Sequence, residues 1–271
     1  PREEYVEQAY FFRALRERML QNMTAQELLP SLRDELLSTT QLPLAVDFMA
    51  GELRHLGLMA PALARLSHYF TPFQTFIVSE AEQPSGRFDL EIGLLILEHD
   101  AKLRADDASL AARFLFQFEC ITRNRLRYDP GLEALSRDPI YPPEWSEWIL
   151  TVRRQIGLVE FADMIYVRSE YYLKEQVRRG RSGEPEKPVL FGEKEGKIAK
   201  ANRRRDPLMM FAAFQRHLNY PAAPMLKPPD ESAQIVPDLL RRVERLETRI
   251  KLLEEEQKGG IDLTKFYAPP Q

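Results

Sequence analysis

Three groups of residues have types and spacings that could support chemistry. The first is FGEKEGKIAK, residues 191–200, which follows Pro188, Val189 and Leu190 like a loop after a strand end. A phosphate-binding loop converges backbone N–H groups on an anion. It needs four residues between its first glycine and the Gly-Lys pair, then a hydroxyl for magnesium. Here only three residues separate Gly192 from Gly196, Ile198 stands where the hydroxyl is needed, and Glu193 and Glu195 would face the phosphates. The stretch therefore reads as a turn leading into a basic helix. Lys197, Lys200, Arg203, Arg204 and Arg205 follow with no acid among them, and Lys197, Lys200 and Arg204 are expected on one helical face. These five are candidate anion-binding residues, suited to nucleic-acid phosphates or an acidic partner. The alternative is a solvated face that pairs with the chain's own acids.

The second group is Glu52 and His55. Their Glu-x-x-His spacing occurs in carboxylate-bridged di-iron bundles, and Glu91, Glu98 and Glu119 lie on nearby apolar helical patterns. The full ligand set needs two such pairs and two further glutamates, and only one pair is present. Glu52 and His55 thus stand as the single candidate ligand pair, and no metal or cofactor is expected. The third is Cys120, the one cysteine. It excludes an intrachain disulfide framework, fits a reducing compartment and reads as a small buried hydrophobe. No serine-nucleophile elbow, zinc-protease helix, calcium loop or CxxC pair occurs. The balance leans away from an enzyme.

The elements that would carry these residues are helical. The 271 residues include only 12 Gly, and Leu, Glu, Arg and Ala dominate. A hydrophobic content of 44% suffices for a core, while a net charge of −3 argues against a general electrostatic binder of nucleic acid. The longest apolar run, IGLLIL at 92–97, is far too short to span a membrane. No membrane partner is expected, and the protein reads as cytoplasmic.

Along the chain, a first helix is expected over 3–22, and Thr24 with Glu27 has capping-box spacing. The segment 90–104 is apolar nearly all round and should be central. Asp106 or Asp107 is expected to cap the next helix, and YDPG at 128–131 to form a turn. Trp145, Trp148, Ile149 and Val152 share one face of a helix opened by Pro142 and Pro143. TFIVSE and MIYVRS have strand-like composition but sit in helical pattern, so both are read as helix.

The best-defined pattern lies near the end. Val236, Val243 and Ile250 fall at heptad a positions, and Leu239, Leu246 and Leu253 at d positions. β-branched residues at a with leucine at d favour a parallel two-stranded coil. Arg242 and Arg249 fall at g, Glu247 and Glu254 at e, so each g arginine meets an e glutamate of a parallel partner. The expected architecture is all-α: a helical domain over 1–178, a basic loop and docked helix over 179–220, a proline-rich linker over 221–232, a coiled coil over 233–258 and an apolar tail over 259–271. The expected function is non-catalytic binding or scaffolding through homodimerisation, with the tail a candidate site for a protein partner. A helical-bundle enzyme with carboxylate and histidine ligands, and a nucleic-acid-associated protein using the basic helix, are the alternatives.

Overall fold

The computed structural model describes residues 2–84, 88–180 and 187–225. The chain divides into two units, Pro1–Leu226 and Lys227–Gln271. The second unit, with the heptad positions 236–253 and the apolar tail, lies outside the described residues. Among the described residues there are thirteen helices and no strand, so the all-α expectation holds there. In chain order they are α1 (Arg2–Met19), α2 (Ala25–Glu35), α3 (Leu42–Leu56), α4 (Ala60–Arg65), α5 (Pro72–Ala81), α6 (Leu90–Ala105) and α7 (Leu110–Arg123). Then follow α8 (Tyr128–Ser136), α9 (Pro143–Gln155), α10 (Phe161–Tyr166), α11 (Glu170–Arg178), α12 (Glu193–Ala201) and α13 (Pro207–Leu218).

Local chemistry sets most of these boundaries. Thr24 accepts from the Glu27 amide while the Glu27 carboxylate takes the Thr24 N–H, closing the capping box that starts α2. Thr71 and Gln74 repeat the device at α5, and Asp89, Ser169 and Asp206 cap α6, α11 and α13. Pro30 lies inside α2, which runs on to Glu35. TFIVSE lies on α5, and of the MIYVRS segment Met164–Tyr166 close α10. TFIVSE is therefore helical, while MIYVRS is helical only to Tyr166: Val167 and Arg168 turn, and Ser169 makes an isolated bridge to Phe191.

Two local expectations fail for identifiable reasons. The helix after residue 107 is capped by Ser109, which accepts from the Ala112 amide. Asp107 instead adopts a left-handed backbone and binds Arg113 at 3.0 Å. YDPG forms no turn but the first turn of α8. Pro130 sits where a helix has no N–H partner to lose. Gly131 is a packing requirement, since a Cβ there would lie 2.9 Å from Ile121 and 3.0 Å from Phe76.

One continuous core joins α1 through α13. α6 is buried nearly all round and lies along α1, with α5 and α7 beside it. α7 brings Phe114, Phe116 and Phe118 to the centre, where Phe114 meets Trp148 edge-on at 4.9 Å. α13 docks on α7, with Phe211 6.2 Å from both Phe118 and Phe161. The expected tryptophan face of α9 is therefore core.

Candidate functional site

The basic residues singled out by sequence sit on a ledge built by α10, α11 and α12. The chain 188–191 is held to the start of α11 by backbone bonds: Leu190 and Phe191 N–H donate to the Arg168 carbonyl at 2.9 and 3.1 Å, and Glu170 N–H donates to Phe191 at 3.0 Å. This is a single bridge, not a sheet edge. α12 then begins at Glu193 with Gly192 as its cap. Gly196 is inside the helix, and its amide donates to the Gly192 carbonyl at 3.1 Å. The residues after Gly192 are thus the first turn of an α-helix and not a glycine-rich loop that wraps a phosphate. Gly196 has a packing role instead. A Cβ there would fall 2.2 Å from Ser169 Oγ and 2.8 Å from Tyr171 Cβ, so only glycine lets α12 approach α11 this closely.

The charges on the ledge are largely matched within the domain. Lys197 binds Glu193 at 2.7 Å, Lys174 binds the same carboxylate, Lys200 binds Glu175, and Arg203 binds Asp163. The cations also rest on tyrosine rings: Lys197 and Lys200 lie 5.5 and 5.3 Å from Tyr171, and Arg203 lies 4.7 Å from Tyr166. Hydrogen bonds from Lys200 and Tyr166 pull the Glu175 carboxyl down to about 2, and bonds from Lys174 and Lys197 do the same for Glu193. Burial and the Glu175 carboxylate raise the Tyr166 hydroxyl to about 12.

Arg204 does not share the helical face of Lys197 and Lys200. α12 ends at Ala201, and Arg204 takes a left-handed conformation at φ 55°, with its amide on Glu160 at 3.0 Å. Arg203 and Arg204 line a cleft of about 330 Å³ together with Glu160 and Asp163, so its walls carry both signs of charge. Arg205 is exposed beside it.

The candidate metal pair, Glu52 and His55, lies on α3. Glu52 binds Arg65 at 2.7 Å and His55 is exposed on the last turn of α3. Two of the other carboxylates, Glu98 and Glu119, are also engaged. Glu98 accepts from Lys102 at 2.5 Å, and Glu119 accepts from Arg123 at 2.6 Å and from Gln215 at 2.8 and 2.9 Å. Among the described residues, no three His, Cys, Asp or Glu side chains converge as a metal-ligand set. Cys120 is wholly buried, and that burial drives its thiol pKa well up, away from the reactive thiolate.

The sequence reading missed a buried polar network. Arg104 donates through Nε to Asp100 at 2.8 Å and through its terminal nitrogens to Asp138 at 3.3 and 2.5 Å. Gln117 donates to the other Asp100 oxygen at 2.8 Å and accepts from Tyr141 at 2.7 Å. The Ile140 amide donates to Asp138 at 3.1 Å. Burial disfavours the guanidinium charge, but the two carboxylates outweigh it and hold Arg104 well above its ordinary value. Every carboxylate oxygen has a donor inside the network, and the ion-paired side chains are at most 1% exposed. Such a cluster organises α6, α7 and the segment after α8, and leaves no acceptor for a substrate. One signal was legible: Asp100 and Arg104 stand four apart on the central helix α6.

No family model matches the sequence, and comparison with curated proteins and with solved structures finds no relative.

Proposed function

We propose that this protein is a non-catalytic binding or scaffolding protein that self-associates through a parallel two-stranded coiled coil over residues 236–257. The observation that carries this reading is the unslipped a/d run Val236, Leu239, Val243, Leu246, Ile250, Leu253, with arginines at g and glutamates at e. A stripe this narrow suits a partner helix better than a globular core, which demands a wider apolar face. The helical domain supports the reading by what it offers outside that run. Lys197, Lys200 and Arg203 are matched by Glu193, Glu175 and Asp163, and the buried polar network is closed. Neither arrangement is that of a catalytic centre, in which groups are held ready for a substrate.

Three heptads are marginal alone, so the seam has little stability to lose. Leu246→Glu would bury a charge against its symmetry mate at a cost of several kcal/mol. Light scattering should find wild-type dimer at tens of micromolar and Leu246→Glu monomer, with the far-UV helical signal of the domain retained. A wild-type monomer, or a variant that remains dimeric, removes the coil as the basis of assembly.

A further inference from the structure

Arg168 is a buried cation that the domain leaves unmatched. It is 9% exposed and lies in the turn that joins α10 to α11. The other buried arginines have carboxylates against them. Arg104 meets Asp100 and Asp138 at 2.8 and 2.5 Å, and Arg113 meets Asp107 at 3.0 Å. Among the described residues Arg168 makes no such ion pair, and its Nε is enclosed without a hydrogen-bond partner. Glu147, exposed on α9, acts on it only across a distance. Burial therefore pulls the guanidinium below its ordinary value, and Glu147 only partly opposes that.

A buried guanidinium without a counter-charge keeps its desolvation cost and gains nothing against it. The position adds to that cost. Arg168 precedes Ser169, the N-cap of α11, so its backbone stands at the positive end of that helix. The turn is also fixed in place, because the Arg168 carbonyl accepts from both Leu190 and Phe191. What this corner lacks is an anion. We propose that Arg168 anchors a binding site for a small oxyanion, a phosphate or carboxylate group, at the corner between α9 and the start of α11.

Guanidinium chemistry selects the ligand. Its planar fork matches two oxygens of a phosphate or a carboxylate, and an oxygen there supplies the acceptor that Nε lacks. The site holds one such fork, and Glu147 carries the same sign as the ligand. Affinity is therefore modest and rises when Glu147 is neutralised. The site stands on this corner alone and does not depend on the coiled coil.

Thermal unfolding of the full chain at fixed ionic strength tests it, with inorganic phosphate and acetate as the probes. Low millimolar concentrations keep both below the range in which excluded salts stabilise any protein. A ligand that binds only the folded state raises the melting temperature. Wild type should show a saturable rise with phosphate, acetate or both, and which of them acts tells the two ligand chemistries apart. Arg168→Met should abolish the rise. Without either probe it should melt no lower than wild type, because it removes an unmatched charge and keeps the bulk. Arg168→Lys keeps the charge without the fork and should weaken binding several-fold, which holds the test open if the methionine variant does not fold. Glu147→Gln should strengthen binding several-fold. No response to either probe in wild type, or an undiminished one in Arg168→Met or Arg168→Lys, overturns the site. So does a response that appears only once Glu147, or Glu184 and Glu186 of the segment 181–186 outside the described residues, are changed to Gln. An acid of the chain itself would then be the counter-charge.

Discussion

Asp138 approaches Arg104 from outside α6, and it decides whether a buried guanidinium is fully or only half compensated. Removing one partner of a buried pair costs more than the pair contributes, because the remaining charge keeps its desolvation penalty. Asp138→Ala should destabilise the domain by about 3–5 kcal/mol in urea unfolding. Asp138→Asn should cost less, since its amide oxygen still accepts from Arg104. Equal losses in the two variants would mean that shape rather than charge holds this corner together. Gly196 poses the opposite problem, one of space. An alanine methyl would collide with Ser169, which is held in place by capping α11 and by its own bond to the Tyr166 carbonyl at 2.7 Å. Gly196→Ala should cost about 1–3 kcal/mol, as overpacking does. A neutral result would show that α12 can shift outward freely.

At the scale of elements, α12 is tied to α10 and α11 by ionised carboxylates, so its docking should depend on acid. Glu175 and Glu193 have folded pKa values of about 2, against an ordinary value of 4.5. A carboxyl depressed on folding contributes stability that is full above its unfolded value and is lost as pH falls through its folded one. The attachment of α12 should therefore hold at neutral pH and weaken from about pH 4.5 toward 2. Amide exchange along α12 and α6 over that range checks it. α12 should lose protection first, since α6 is the buried centre of the core. Simultaneous loss in both helices would show that α12 does not open as a separate element. The start of α2 was legible because Thr24 and Glu27 cap their own helix, whereas Ser109 was passed over for Asp106 or Asp107. They were misread at YDPG, where Pro and Gly usually mark a turn but here serve a helix start and a close packing contact.

For the whole molecule, the matched charges of Lys197, Lys200 and Arg203 give an expectation about nucleic acid. Counterion release requires cations free to replace salt around phosphates. Because Lys197, Lys200 and Arg203 already have carboxylate partners, binding to duplex DNA should be weak at physiological salt and change little when all three become glutamine. Tight binding with a steep salt slope that vanishes in the triple variant would restore the nucleic-acid reading. A chain ending at residue 225 should unfold in one cooperative step, because α12 and α13 share the core of α1 to α11. By itself the sequence determined the helical class, the central place of α6, the capping box at Thr24 and the heptad run, since each follows from periodicity or from a side chain acting on its own backbone. Only the tertiary structure decided which charges are matched, as Arg203 finds Asp163 forty residues away and Arg104 finds Asp138 thirty-four away. It alone showed that Gly196 and Gly131 are packing residues, and that Leu44, Phe48 and Gly51 are left open to solvent. Periodicity reports which residues share a face of one helix. What that face meets depends on contacts between segments far apart in the chain, and no local pattern encodes them.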